Sequence, residues 1–197
     1  MTGIVLAGGK NVRMGRNKAT LPWQQSDFLH VILQRLSRVC TELIVVTNAP
    51  LSIKMANVRS VSDIIPGCGP LSGIHAGLMH ASSPAAFVTA CDMPFIQPAA
   101  VAWLCTRLGA WDAVVPGDGC FREPLFACYA KTCIPVIEVL LTQGVRKTQT
   151  LFEHIRYQSV PVADLQQFDP SLRLLQNVNA PEDYQRALHD MDSISVI

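Results

Sequence analysis

Leu43-Ile44-Val45-Val46-Thr47 is the stretch whose reading decides the fold. It reads as a strand that is apolar on both faces. Such strands belong to parallel sheets, whose crossover connections lay helices over each side. Upstream, Leu29, Ile32, Leu33, Leu36, Val39 and Cys40 recur at helical spacing and predict a helix over Phe28–Cys40. Ile4–Ala7 is a short apolar strand that runs into glycines. Downstream, Val58–Val61 and Ala86–Ala90 read as strands, with a helix of small packing residues, Gly73–Ala81, between them. Pro98 opens a helix to about Leu108, since proline is tolerated in a first turn. Ala113–Val115 and Pro124–Tyr129 are strand-like and flank the turn Gly117-Asp118-Gly119. Ile134–Leu141 and Pro181–His189 are helical. The alternation predicts one α/β layered domain over residues 1–197 with a mainly parallel sheet.

Composition agrees and narrows the class. Of 197 residues 49% are hydrophobic and 16% charged, enough apolar surface to offset the entropy of ordering the chain. Sixteen basic and fifteen acidic side chains leave a net charge of +1, which points away from nucleic acid and membrane surfaces. No apolar run approaches the roughly 18–20 residues that span a bilayer. The amino-terminal stretch lacks a basic segment ahead of a long apolar one, so a cytoplasmic location is expected. The seven cysteines are odd in number and nowhere form C-x-x-C, so they read as small buried hydrophobes rather than a disulfide or zinc framework.

In an open parallel sheet, ligands sit beyond the carboxyl ends of the strands. Four strand ends here deliver polar residues to one edge. After Ile4–Ala7 comes Gly8-Gly9-Lys10-Asn11-Val12-Arg13-Met14-Gly15-Arg16-Asn17-Lys18. After Leu43–Thr47 comes Asn48; after Val58–Val61 come Ser62, Asp63 and the Gly67–Gly73 loop; after Ala86–Ala90 come Cys91 and Asp92. Glycines let backbone N–H groups approach a ligand, and Lys10, Arg13, Arg16 and Lys18 are unopposed cations, a combination that suits a polyphosphate. A turn with solvated basic side chains is the plainer alternative. Two familiar phosphate loops fail on spacing: Gly9 and Gly15 are separated by five residues and followed by Arg16, unlike a Walker A loop, and G-x-G-x-x-G is absent.

Asp92 is the best metal candidate, because one carboxylate at a strand end can hold a Mg²⁺ that takes its other ligands from water and substrate phosphates. Its alternative role is to cap the helix that starts near Pro98. Asp63 has the alternative of bonding local backbone. The residues together point to a Mg²⁺-assisted transferase acting on phosphate. His75 reads as a packed helix residue, and the other histidines show no ligand spacing. Arg122 and Glu123, at the start of Pro124–Tyr129, either order a loop near a second substrate or form an exposed pair of little worth, and the second reading is preferred. Arg146-Lys147 fits either an anionic substrate or a solvated helix start.

Leu6-Ala7-Gly8-Gly9-x-x-x-Arg13-Met14-Gly15-x-x-Lys18 resembles the signature of the nucleotidyltransferases related to molybdenum cofactor guanylyltransferase. Further stretches extend the resemblance: Thr47-Asn48, Asp63, Gly69-Pro70-Leu71-Ser72-Gly73-Ile74, Cys91-Asp92-Met93-Pro94-Phe95, Glu123-Pro124-Leu125-Phe126-Ala127-Cys128-Tyr129, and Asn177-Val178-Asn179-Ala180-Pro181-Glu182-Asp183. They run in order over residues 4–183. The resemblance implies a single three-layer Rossmann-like nucleotidyltransferase domain. It implies that Leu6, Ala7, Gly8 and Gly9 border GTP, that Arg13 and Lys18 meet its phosphates, and that Asn48 and Asp63 bind its nucleoside part. Asp92 would hold Mg²⁺ across the triphosphate, and Asn179 would lie toward molybdopterin. The implied reaction is attack by the terminal phosphate of molybdopterin on the α-phosphorus of GTP, with loss of pyrophosphate; proteins of molybdoenzyme maturation are implied partners. A cytidylyl or other nucleotidyl transfer to a related acceptor, or an inactive nucleotide-binding module, stays open beside it. Asn17 stands where the family often has aspartate, and Ala180 where it more commonly has threonine.

Overall fold

A computed structural model describes residues 1–8, 22–23, 26–51, 53, 55–179 and 182–186. In chain order the elements are β1 (Thr2–Leu6), β2 (Pro22–Trp23), β3 (Ser26–Asp27), α1 (Phe28–Leu36), β4 (Glu42–Val46), β5 (Val58–Val61), α2 (Pro70–His80) and β6 (Ala85–Ala90). There follow α3 (Pro98–Thr106), β7 (Ala113–Asp118), β8 (Phe121–Arg122), β9 (Phe126–Ala130), α4 (Ile134–Thr142) and β10 (Tyr157–Val160). Short 3₁₀ turns fill the stretches after β9, α4 and β10. No helix among the described residues is long and apolar enough to cross a membrane.

One sheet runs in the order β5-β4-β1-β6-β9-β7-β10, with β8 folded back on β7. β5, β4, β1 and β6 are mutually parallel, as are β7 and β10, whereas β9 runs antiparallel to both β6 and β7. The chain lays β4 on one side of β1 and β6 on the other, so β1 marks the switch in winding direction where open α/β sheets form their ligand crevice.

Strand periodicity divides the core into two layers. Val5, Leu43, Val45, Phe87, Val114 and Phe126 pack with Leu29, Ile32, Leu36, Val101 and Leu104 of α1 and α3. Ile4, Leu6, Ile44, Val46, Val88 and Val115 pack with Leu71, Ile74, Leu78, Ile137 and Leu140 of α2 and α4. This is the three-layer sandwich that an apolar run such as Leu43–Val46 requires. α2 approaches β1 closely because of two glycines on its inner face. A Cβ on Gly77 would lie 2.6 Å from Cγ2 of Ile4, and one on Gly73 would lie 2.9 Å from Cδ2 of Leu6.

At the edge where β1 and β4 begin, Glu42 ties the sheet together. Its Oε2 accepts from Thr2 Oγ1 (2.6 Å) and from the Ser82 N–H and hydroxyl (2.9 and 2.7 Å), and its Oε1 accepts from Arg59 (2.7 Å). Burial acts to raise its pKa, but these donors outweigh that and hold it at about 2.

Several expected boundaries shift. The helix predicted to reach Cys40 ends as an α-helix at Leu36, where Ser37 hydrogen-bonds back to Leu33 and turns follow. Asp27 caps its start, its side chain accepting from the His30 N–H at 2.9 Å. β10 pairs with β7 at the sheet edge, and nothing in Tyr157-Gln158-Ser159-Val160 announces a strand by apolar run. Of the helix predicted over Pro181–His189, residues 182–186 are helical and the others lie outside the described residues.

Candidate active site

The register of the parallel strands places the polar residues. Val61, Val46, Leu6 and Ala90 form one cross-strand row at the carboxyl ends of β5, β4, β1 and β6. One residue further, the ladder continues: Thr47 N–H donates to Val61 C=O (2.9 Å), Ala7 N–H to Val46 C=O (2.9 Å) and Cys91 N–H to Leu6 C=O (3.0 Å). One residue beyond that stand Asp63, Asn48, Gly8 and Asp92, each two positions past the paired row. With strands about 4.8 Å apart, the row extends over about 14 Å, the scale of an extended nucleoside triphosphate.

Asn48 and Asp63 hold each other. Asn48 Nδ2 donates to Asp63 Oδ2 (2.8 Å), and Asn48 Oδ1 accepts from the Asp63 N–H (3.0 Å). The two bonds use both ends of the amide, so its orientation is set. Asp63 is thus held by a side chain of the next strand rather than by local backbone. Leu6 and Ala7 are buried, and the Leu6 C=O and Ala7 N–H are spent extending the sheet, whereas Gly8 is exposed, with open space where a Cβ would stand. Gly9, Arg13, Asn17 and Lys18 lie outside the described residues.

The loop into α2 approaches the same edge. Gly69 is the N-cap with φ of 66°, a left-handed value that favours glycine, and Pro70 opens the helix. The Ser72 hydroxyl accepts from the Cys68 N–H at 3.3 Å, folding the loop onto the first turn. The backbone carbonyl of Arg146 lies 3.7 Å from where a Gly69 Cβ would be; the Arg146 and Lys147 side chains are exposed.

Asp92 is half-buried and does not cap α3, whose N-cap is Gln97. Its carbonyl accepts from the Val178 N–H (2.8 Å), which pins the Asn177-Val178-Asn179 stretch to the Asp92 loop. Asn179 itself is exposed, and its N–H donates to Asp183 Oδ2 (3.2 Å).

Glu123 corrects the expectation of an exposed pair with Arg122. Its carboxyl is largely buried, and burial first, then the negative charge of Asp92, pushes its pKa up against the hydrogen bond from Leu125 N–H. Arg122 turns elsewhere, donating twice to Tyr157 Oη at 3.0 and 2.6 Å. The signal in the sequence was the strand read over Pro124–Tyr129, which starts directly after Glu123. A residue leading into a buried strand of the central sheet is held at the sheet's edge, not loose on the surface.

His75 is buried on α2, with Nε2 3.2 Å from Glu138 Oε1 of α4, a packing contact away from this edge. The described cysteines are free, and all but Cys105 and Cys120 are buried. Burial pushes the Cys40 and Cys133 thiols up to about 12, which makes them poor nucleophiles. Among the described residues no group of three or more His, Cys, Asp or Glu side chains forms a self-sufficient metal site. A cation held at Asp92 would therefore draw most of its ligands from substrate phosphates and water, which is ordinary for Mg²⁺.

The chain has counterparts among known proteins. The sequence model of the MobA-like NTP transferase domain matches residues 3–160. The molybdenum cofactor guanylyltransferase of Desulfosudis oleivorans is 33% identical over 189 residues, 95% of this chain and 94% of that protein. A protein of Pelotomaculum thermopropionicum named "Probable molybdenum cofactor guanylyltransferase" is 35% identical over 186 residues, 94% of this chain and 91% of its own. The crystal structure of molybdopterin-guanine dinucleotide biosynthesis protein A from Archaeoglobus fulgidus superimposes with a TM-score of 0.86 at 29% identity, covering 98% of this chain and 100% of that one. Matched by that model over residues 3–160 and by these relatives over 94% and 95% of its length, the chain, whose parallel-sheet edge gathers Gly8, Asn48, Asp63 and Asp92 into one row, belongs to the MobA-like NTP transferase family of nucleotidyltransferases.

Proposed function

We propose that this chain transfers GMP from GTP to the terminal phosphate of molybdopterin, releasing pyrophosphate and forming the guanine dinucleotide cofactor. The observation that carries the reading is the row of Asp63, Asn48, Gly8 and Asp92, set two residues past aligned strand ends. The names of the relatives supply the substrates.

In this reading the nucleoside lies over the Asn48–Asp63 pair, where the fixed amide and carboxylate present directional hydrogen-bonding groups. The phosphates then run across Gly8, where no side chain obstructs approach to the backbone. Arg13 and Lys18 of the first loop supply positive charge to them, a point-charge role for lysine and a forked donor for arginine. Asp92 offers hard carboxylate oxygens at the end of the row, which fits Mg²⁺. The ion would neutralise charge on the triphosphate and on the departing pyrophosphate. Asn179, pinned near Asp92 by its neighbour Val178, stands on the acceptor side. The acceptor phosphate is already an anionic nucleophile, so the residues' work is to hold it in line with the α-phosphorus and to screen repulsion between the anions. The buried free thiols suit a reducing compartment such as the cytoplasm.

Pyrophosphate release by the purified protein with Mg²⁺ and molybdopterin, compared among GTP, CTP, ATP and UTP, tests the proposal. Release with GTP alone is expected. Release with CTP instead would overturn the base assignment, and none with any nucleotide would overturn the reaction. Asp92→Ala should lower turnover by far more than tenfold (~1.4 kcal/mol of barrier), and Lys18→Ala should weaken the apparent affinity for GTP without altering folding.

A further inference from the structure

We propose that Arg173 is a positioning residue for Asp92: through the ring of Phe95 it fixes the loop that presents this carboxylate to the bound nucleotide. The proposal rests on the nucleotidyl-transfer reading and names a residue which that reading does not use.

The loop from Cys91 to Gln97, between β6 and α3, is held from outside. Its local backbone bond, Met93 N–H to Ala90 C=O, is long at 3.4 Å. Met93 and Ile96 are buried in the layer under α1 and α3. Arg35 of α1 donates from Nη1 to Ile96 C=O (3.1 Å), and Val178 N–H donates to Asp92 C=O (2.8 Å). Phe95 is buried too, but among the described residues it belongs to neither core layer. The Arg173 guanidinium lies over its ring, with Cζ 4.1 Å from the centroid. A planar guanidinium at this distance from an aromatic face makes an attractive contact of defined orientation. Pro94 fixes one dihedral in the two residues between Asp92 and Phe95, so a displacement of the ring carries to the carboxylate.

Arg173 is itself set by a strained turn. Leu172, directly before it, has φ of 56° and ψ of 23°, and is the one non-glycine with positive φ among the described residues. A leucine keeps that conformation only where its surroundings impose it. Asp169 imposes it here. Its C=O accepts from Leu172 N–H (2.9 Å), its Oδ1 from the Ser171 N–H (3.2 Å) and hydroxyl (2.9 Å), and its Oδ2 from Leu174 N–H (2.8 Å). Leu174 and Val178 are fully buried, which seats the segment between them against the core. Nε and Nη2 of Arg173 are buried as well, so the guanidinium stands inside the fold. One segment thus grips the Asp92 loop twice, by Val178 at Asp92 and by Arg173 at Phe95.

The readout is the part of the GTP affinity that depends on the cation. GTP is titrated calorimetrically into the full chain in Mg²⁺ and again in EDTA, and the tightening that Mg²⁺ brings is compared among the parent, Arg173→Met, Arg173→Lys, Phe95→Leu and Asp92→Asn. Arg173→Met is expected to reduce the tightening about tenfold, the scale on which supporting groups tune a metal ligand, with the Kd in EDTA within about twofold of the parent. Arg173→Lys, which keeps the charge without the plane, should recover part of the loss, and Phe95→Leu should reproduce it. Combined with Asp92→Asn, Arg173→Met should add nothing, because its effect runs through Asp92. Should Arg173→Met fail to fold, Arg173→Lys and Phe95→Leu carry the same comparison. Tightening that survives these substitutions while Asp92→Asn abolishes it, or a loss that is equal in Mg²⁺ and EDTA, overturns the positioning role and leaves the nucleotidyl-transfer reading standing. Tightening that Asp92→Asn does not alter removes the cation from Asp92, and the positioning role with it.

Discussion

Gly77→Ala separates close packing from helix propensity, which push in opposite directions at this position. Gly77 lies inside α2, where alanine is favoured over glycine by about 1 kcal/mol on backbone grounds alone. A Cβ there would lie 2.6, 2.8 and 3.1 Å from Cγ2, Cδ1 and Cγ1 of Ile4. Ile4 is fully buried in β1, between β4 and β6, and is branched at Cβ, so it has little room to swing aside. Inserting a methyl group into a filled core costs about 1–3 kcal/mol, and an overlap this close with a stiff side chain takes the upper half of that range, leaving a net loss of about 1–2 kcal/mol. For a chain of this size that is a fall in Tm of roughly 2–8 °C. Gly73→Ala is the internal comparison, because the atom it meets is Cδ2 at the flexible end of Leu6, at 2.9 Å, and its loss should be smaller. Urea unfolding of both variants, followed by circular dichroism, gives the values. A Gly77→Ala protein as stable as the parent, or more so, would refute the close-approach argument and leave propensity in charge.

Two further expectations concern the opposite edges of the sheet. Glu42→Gln should cost about 1–2 kcal/mol at pH 7, a figure reduced for solvent screening around the partly exposed carboxylate. Because the folded pKa of about 2 lies below the ordinary 4.5, this stabilisation is present above pH 4.5 and is lost as the pH falls toward 2. Parent and variant should therefore converge in acid urea titrations, and a difference independent of pH would dismiss the electrostatic account. Asn48→Ala should raise the KM for GTP about tenfold, the loss of one hydrogen-bonding group to a charged or polar partner, with kcat within about threefold. An unchanged KM with a lower kcat, in steady-state pyrophosphate assays, would take Asn48 out of nucleoside binding.

What the sequence discloses and what it conceals follow from how each element is buried. β4 and β6 are legible because both faces are covered, so Leu43–Val46 is wholly apolar and Ala86–Ala90 is interrupted only by the buried Thr89. β10 is concealed because it lies at an edge, where Gln158 and Ser159 are tolerated on a half-covered strand. The direction of β9 is not encoded in its own composition: Phe126-Ala127-Cys128-Tyr129 packs equally well either way up, and only the hairpin geometry of residues 116–122 sends it back. That reversal is why Asp92 stood out and Glu123 did not. Asp92 follows a strand, as ligand residues of parallel sheets do, whereas Glu123 precedes one. Asn48 and Asp63 are each readable as strand-end residues, but their mutual hydrogen bonds depend on β4 and β5 being neighbours in register, a relation between segments ten or more residues apart.

The reversed strand also divides the edge into two kinds of support. Residues that follow β1, β4, β5 and β6 are bound to one another through the register of four parallel strands, so a change in the length of any one strand displaces its polar residue from the row. The lead-in to β9 belongs instead to a hairpin that leaves and re-enters the sheet on its own. On the proposed reading the nucleotide half of the crevice is tied to the strand register, whereas residues 117–125 take their position from the β7–β8 hairpin.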